Sequence, residues 1–180
     1  MGADYLRVAD IIDDSIVDGP GLRLAVFTQG CPHRCRGCHN PGTHDPSGGR
    51  EVAIEEILEQ YRDNPLLSGV TFSGGEPFLQ PEPLARLARM IREAGGDVIV
   101  YTGFYYEELL APGRRAKVSP LLAETDLLID GPYVEELRSL ELRFRGSSNP
   151  RLLDRKARGE LYVNYIIGRR APYSGTVVNF

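Results

Sequence analysis

Leu22-Arg-Leu-Ala-Val-Phe-Thr28 leads through Gln29 into Gly30-Cys-Pro-His-Arg-Cys-Arg-Gly-Cys-His-Asn40. A short apolar run bounded by glycine reads as a buried strand. Here it delivers the chain into a loop that holds every cysteine of the sequence, Cys31, Cys35 and Cys38. The same arrangement recurs downstream. Val70-Thr-Phe72 runs into Ser73-Gly-Gly-Glu-Pro77, residues 97–101 (DVIVY) into Thr102-Gly103, and Leu127-Leu-Ile-Asp130 into Gly131-Pro132. Between these runs lie helical patterns. Ile54, Ile57, Leu58 and Tyr61 follow the i, i+3, i+4, i+7 spacing and predict a helix over residues 51–62. Leu84, Leu87, Ala88 and Ile91 predict a second, stopped by Gly95-Gly96. Residues 109–124 read as helical in parts, interrupted at Pro112-Gly113 and at Pro120, and residues 161–167 (LYVNYII) read as a fifth strand.

Apolar strands alternating with amphipathic helices predict an α/β fold. The expected architecture is a parallel sheet of about five to six strands with covering helices and right-handed crossovers, either open or curved into a partial barrel. In such a sheet the cysteine loop and the Gly74-Gly75-Glu76 loop both follow strands. They therefore fall at one carboxyl edge, where these folds place their ligands.

A chain of 180 residues is one domain by length. Its 42% hydrophobic and 26% charged residues are ordinary for a globular protein, and a net charge of −4 argues against non-specific nucleic-acid binding. No apolar run approaches the ~20 residues of a membrane span. Met1-Gly-Ala-Asp-Tyr-Leu-Arg7 has no apolar core of a signal peptide. Clustered cysteines without a disulfide framework fit a reducing compartment, so the expectation is a cytoplasmic protein with neither nucleic acid nor membrane as partner.

Cysteines separated by three and then two residues can curl around one metal centre, because an extended chain reaches only ~3.3–3.6 Å per residue. Sulfur ligands suit iron–sulfur clusters and zinc alike. A cube normally takes four thiolates, so three would leave one iron open for substrate. Zinc would need a fourth ligand, for which His44 is better placed than His33 or His39, giving a structural Cys₃His site. Gly74-Gly75 would let a ligand approach backbone closely, and Glu76 could accept a hydrogen bond from an amine, although Gly-Gly before a helix is often only a tight turn. Thr102, Gly103 and Asp130 also sit at strand ends, where ordinary turn chemistry explains them equally well. Asp18-Gly-Pro-Gly21 reads as a turn before the first strand.

Together these residues resemble the radical S-adenosylmethionine superfamily, which carries Cys-x₃-Cys-x₂-Cys. The longer pattern Gly19-x-Gly21-x-Arg23-x₃-Phe27-x₂-Gly30-Cys31-x₃-Cys35-x₂-Cys38-x-Asn40 is similar to that of the enzymes that activate glycyl-radical enzymes. Asp126-Leu-Leu-Ile-Asp-Gly-Pro-Tyr-Val-Glu-Glu-Leu137, with Leu142-Arg-Phe-Arg-Gly-Ser-Ser-Asn149, resembles the branch that serves anaerobic (class III) ribonucleotide reductases. One departure is Gly37, where many members of the superfamily have an aromatic residue before the third cysteine.

The resemblance implies one radical S-adenosylmethionine domain over residues 1–180, shaped as a partial (βα) barrel, with residues after about 158 not aligned. It implies a [4Fe–4S] cluster on Cys31, Cys35 and Cys38, with S-adenosylmethionine on the fourth iron. The cofactor would be held by Gly74, Gly75 and Glu76, with Asn40, Thr102, Gly103 and Asp130 as further contacts. Reductive cleavage would yield a 5′-deoxyadenosyl radical that removes hydrogen from a glycine Cα of the reductase large subunit, with no residue needed as acid or base. Asp18, Gly19, Pro20 and Gly21 would meet that partner, and a flavodoxin- or ferredoxin-type protein would donate the electron. The nearest alternative is activation of another glycyl-radical enzyme of the pyruvate formate-lyase type.

Overall fold

A computed structural model describes residues 4–159. Along the chain it forms β1 (Tyr5–Ser15), β2 (Arg23–Thr28), β3 (Arg50–Ala53), α1 (Ile54–Asp63), β4 (Gly69–Gly74), α2 (Pro81–Glu93), β5 (Asp97–Thr102), α3 (Tyr106–Leu109), α4 (Arg115–Glu124), β6 (Leu127–Asp130) and β7 (Arg151–Asp154). The strand predicted over residues 161–167 lies outside the described residues.

The strands form one sheet in the order β3-β1-β2-β4-β5-β6-β7. Its centre is parallel, as expected: β2 pairs with β4, β4 with β5 and β5 with β6. The all-parallel sheet of five to six strands is corrected at both sides. There β1 runs antiparallel to β2 and to β3, and β7 runs antiparallel to β6. Among the described residues β3 and β7 do not pair with one another, so the sheet is open. The helix predicted from residue 51 begins at Ile54, because residues 50–53 are recruited as an edge strand, Tyr5 opposite Ala53 and Val8 opposite Arg50. Pro120 does not interrupt α4. The carbonyl that its missing N–H would have satisfied belongs to Ala116, an exposed residue in the first turn of the helix.

Period-two alternation splits the sheet into two chemically different faces. Leu24, Val26, Val70, Phe72, Val98 and Val100 point to one side, where they are buried together with side chains of all four helices. Each fully buried aliphatic or aromatic side chain there contributes roughly 1.5–3 kcal/mol. Ile99, Leu127 and Ile129 point to the other side, where Tyr101, Phe144 and Leu152 pack on them. That side carries no α-helix among the described residues. Residues 133–150 cross it as an irregular hairpin, bridged between Arg138 and Ser147, with Ser139 N–H donating to the Gly146 carbonyl.

Candidate metal and cofactor site

Strands β2 and β4 run parallel up to Thr28 beside Gly74, and their pairing continues past the strand ends into the two loops. Gly75 N–H donates to the Thr28 carbonyl and Glu76 N–H to the Gly30 carbonyl, each at 2.8 Å. Only glycine permits this contact. A Cβ at Gly75 would lie 2.4 Å from the Gly30 carbonyl oxygen, and one at Gly74, where φ is +90°, would lie 2.7 Å from Phe27 Cα. The two loops are thus one unit at the carboxyl edge, as expected of loops that follow parallel strands.

The cysteine loop turns back on itself through three left-handed residues, Gly30, Arg34 and Gly37. Its base is pinned where Gly30 N–H donates to Thr43 O and Cys31 N–H to His44 O. All three thiols are free and half-buried. Backbone amides are aimed at the sulfurs: those of His33 and Arg34 at Cys31, that of Tyr133 at Cys35, and that of Asn40 at Cys38 Sγ, 3.4 Å away. Burial nevertheless pushes the Cys31 and Cys35 thiols up, and the negative charge of Glu76 adds to it. A bound metal must therefore displace protons from these thiols, after which the amides stabilise the thiolates. Among the described residues no group of three or more His, Cys, Asp or Glu is drawn close enough to hold a single ion. The buried Nε2 of His44 has no hydrogen-bond partner. A cube suits wider spacing, since each thiolate takes a different iron.

Behind the loop, Glu76 is fully buried. Its carboxylate accepts from Phe78 N–H (3.0 Å), Gly103 N–H (3.0 Å) and the Thr102 hydroxyl (2.9 Å), and lies 2.8 Å from His33 Nε2. The ends of β4 and β5 and the cysteine loop are tied through this one side chain. A His–carboxylate pair had no sequence signal beyond the two residues themselves, which stand 43 apart.

A cavity of about 800 Å³ begins at the three cysteines and runs across the helix-free sheet face to the turn joining β1 and β2. That is ample for a nucleoside-sized cofactor. Asn40, Gly74, Gly75, Thr102 and Gly103 line it, as does Asp18 at the far end. Residues 138–147 form its roof, held down where Tyr101 Oη donates to the Phe144 carbonyl at 2.8 Å. Burial pushes the Tyr101 hydroxyl far up, so it keeps its proton as a donor. Five expected contacts lie elsewhere. Glu76 sits behind the wall. Asp130 is fully buried and paired with Arg151 (2.5 and 2.9 Å), which also clasps Glu107. Gly19, Pro20 and Gly21 lie at the amino edge, wrapped on the buried Arg23, whose guanidinium donates to Pro20 O, Val70 O and Asp97. The space beside Gly37 is taken by Glu135, whose Cδ would be 2.7 Å from a Cβ there.

Residues 17–153, more than half of the chain, match the family described as a 4Fe-4S single cluster domain. The pyruvate formate-lyase-activating enzyme of Clostridium pasteurianum is 43% identical over 113 residues, which cover 58% of this chain and 48% of that protein. The anaerobic ribonucleoside-triphosphate reductase-activating protein of Escherichia coli K12 is 32% identical over 143 residues, covering 74% of this chain and 89% of that protein. Its counterpart from Enterobacteria phage T4 is 30% identical over 143 residues, covering 76% and 86%. A three-cysteine loop opening on a cofactor-sized cavity, carried on a sequence with these relatives, places the chain in the 4Fe-4S single cluster domain family, among the activating proteins of glycyl-radical enzymes.

Proposed function

We propose that this chain is the activator of an anaerobic ribonucleotide reductase, using S-adenosylmethionine at a [4Fe–4S] cluster to place a radical on a glycine of that enzyme in the cytoplasm. The observation that carries the reading is the position of the three thiols at one end of a cavity whose floor is open sheet. Cys31, Cys35 and Cys38 would hold three irons and leave the fourth facing that space. When bound, the cluster and S-adenosylmethionine supply a one-electron cleavage of the sulfonium that leaves a 5′-deoxyadenosyl radical.

The chain's own residues have the tasks of binding, orienting and excluding water. Gly74 and Gly75 present bare backbone to the cavity beside the cysteines, where an amino group would find carbonyls. Glu76 acts from behind, fixing Thr102, Gly103 and His33 so that this wall is rigid before cofactor arrives. The roof over residues 138–147 covers the cavity and limits access of water to a reactive intermediate. Asp130 serves the same end at one remove, through the Arg151 ion pair that holds β6 against β7.

The reductase as target is supported by matches over 86–89% of the length of its activators. The pyruvate formate-lyase type is the second reading, favoured by the 43% identity over 113 residues. Electron paramagnetic resonance of the anaerobically reconstituted, reduced protein tests the core of the proposal. We expect a [4Fe–4S]⁺ signal that changes shape when S-adenosylmethionine is added, and its loss in Cys31→Ser, Cys35→Ser or Cys38→Ser. Zinc in place of a cluster signal would overturn it. Incubation with each candidate glycyl-radical enzyme, scored by the glycyl doublet, then decides the target.

A further inference from the structure

Tyr133 follows the turn at the end of β6, and its ring leans on the imidazole of His39, with centres 4.8 Å apart and planes tilted by 50°. Both residues line the cavity, beside Cys35 and Cys38. Each is tied to the cysteine loop through backbone. His39 is the residue after Cys38, and the Tyr133 amide is aimed at the Cys35 sulfur. Neither belongs to the core: His39 is exposed and Tyr133 only partly buried. The pair therefore forms an aromatic wall at the cysteine end of the cavity.

Three residues of the run 142–149 hold that wall in place. Asn149 Nδ2 donates to the carbonyl of Pro132, the residue before Tyr133, at 2.6 Å. The amide of Val134, the residue after it, donates to Ser147 Oγ at 3.3 Å. Ser147 is fully buried and its hydroxyl donates to Asn149 Oδ1 at 2.8 Å, so the two clamps are one unit. Gly146 leaves room for the rings, since a Cβ there would lie 2.7 Å from His39 Cε1 and 3.3 Å from Tyr133 Cδ2. Glu135, two residues beyond Tyr133, fills the space beside Gly37. The segment that brings Tyr133 to the cavity thus also keeps a side chain out of position 37.

We infer that Tyr133, backed by His39, is the surface on which the adenine of S-adenosylmethionine stacks, and that the clamp of Ser147 and Asn149 serves to hold it there. The inference rests on the proposed function. A cofactor whose methionine end sits on an open iron must lay its base on a wall close to the cysteines. A purine face meets an aromatic side chain favourably in offset or tilted contact. Many members of the superfamily have an aromatic residue before the third cysteine, but here that position is Gly37. The ring comes instead from the loop after β6, on a different part of the chain. Tyr133 is then a binding residue, while Ser147 and Asn149 are positioning residues that act through it.

The test titrates two probes into the cluster-loaded, reduced protein and follows the shape of its electron paramagnetic resonance signal. One probe is S-adenosylmethionine. The other is methionine, which carries the same amino and carboxylate groups without the adenine. We expect Tyr133→Ala to weaken S-adenosylmethionine roughly tenfold, the loss of one base–ring stack, and to leave methionine unchanged. Tyr133→Phe should restore the affinity. Tyr133→Leu fills the same space without an aromatic face, so it reads the ring even if the alanine variant loses its cluster. Asn149→Ala should weaken S-adenosylmethionine by a smaller factor, and adding it to Tyr133→Ala should cost nothing more. If the alanine and leucine variants bind S-adenosylmethionine as tightly as the unaltered chain, or lose methionine to the same extent, the inference is overturned. The response of the unaltered chain would then leave the proposed function standing. An unaltered protein whose cluster signal ignores S-adenosylmethionine would fail at the earlier step, and the inference would fall with it.

Discussion

Arg23 and Glu76 are both fully buried, and each would cost several kcal/mol in an apolar interior without partners. Arg23 meets that cost at the amino edge of β2, β4 and β5 by donating to Thr71, to the Val70 carbonyl and to Asp97, 2.5 Å away. Glu76 does the same at the carboxyl edge. Its removal would strand the Phe78 and Gly103 amides and the Thr102 hydroxyl without an acceptor. We expect Glu76→Ala to lower unfolding free energy by about 3 kcal/mol in urea titrations, since buried donors left unpaired cost ~1–3 kcal/mol each and relaxation recovers part. It should also impair cluster retention, because His33 loses its anchor. Gly75→Ala separates the two effects. It keeps the carboxylate but drives a methyl into the Gly30 carbonyl, 2.4 Å away, so the two loops must part. We expect reconstituted iron per chain to fall to a small fraction, with much of the fold retained by circular dichroism. Normal iron loading would show that the loops need not touch.

At the scale of elements, the sequence carried the parallel centre and hid both flanks. The apolar runs of β2, β4, β5 and β6 are buried on both faces, so they read as continuous hydrophobic stretches. β1 carries Asp10, Asp13 and Asp14, and its pairing with β2 slips between Val8 and Asp10 and again between Ile12 and Ser15. Irregular pairing breaks the period-two signal on which a strand is recognised. β3 and β7 have four residues each, too few for any period to show. The edge at β7 is held by a charged joint. Asp126 accepts from the Val98 amide, from Arg92 of α2 at 2.6 Å and from Arg155 beyond β7 at 3.0 Å. Partial burial pushes its carboxyl up, but the amide and the two guanidinium groups outweigh this and hold it below the usual carboxylate range. A depressed folded-state value means that the stabilisation is complete above the unfolded value, about 3.9, and is lost as pH falls through the folded one. We expect Asp126→Asn to be less stable than the unaltered chain at pH 7. The difference should shrink below about pH 4, where the unaltered carboxyl takes up its proton. Urea midpoints at pH 7, 5 and 3 would measure this, and a gap constant across all three would exclude the charge as its origin.

Across the whole molecule, the helix-covered face supplies stability and the bare face supplies the cavity. The place of the cysteines and of Gly74-Gly75 at the carboxyl edge followed from strand direction alone. That Glu76 turns inward, and that the cavity extends along the sheet under a roof rather than ending at its edge, depends on pairings 26 to 43 residues apart, which no local pattern records. This extent changes the meaning of Asp18. It belongs to a turn at the amino edge, yet it lines the same cavity as the cysteines. A cofactor held at the cluster would occupy the opposite end, leaving the part near Asp18 and the exposed Ile16 and Val17 for the segment that carries the target glycine. Asp18 is held there by the Ser15 hydroxyl at 2.5 Å, while its carbonyl accepts from Thr71. Its backbone contacts survive a change of side chain. We therefore expect Asp18→Asn to slow formation of the glycyl radical on the partner by roughly tenfold, a barrier change of ~1.4 kcal/mol. Cleavage of S-adenosylmethionine without the partner should stay near its unaltered rate. If both fell together, Asp18 would belong to the cofactor end, and the partner would have to enter from the side of the roof.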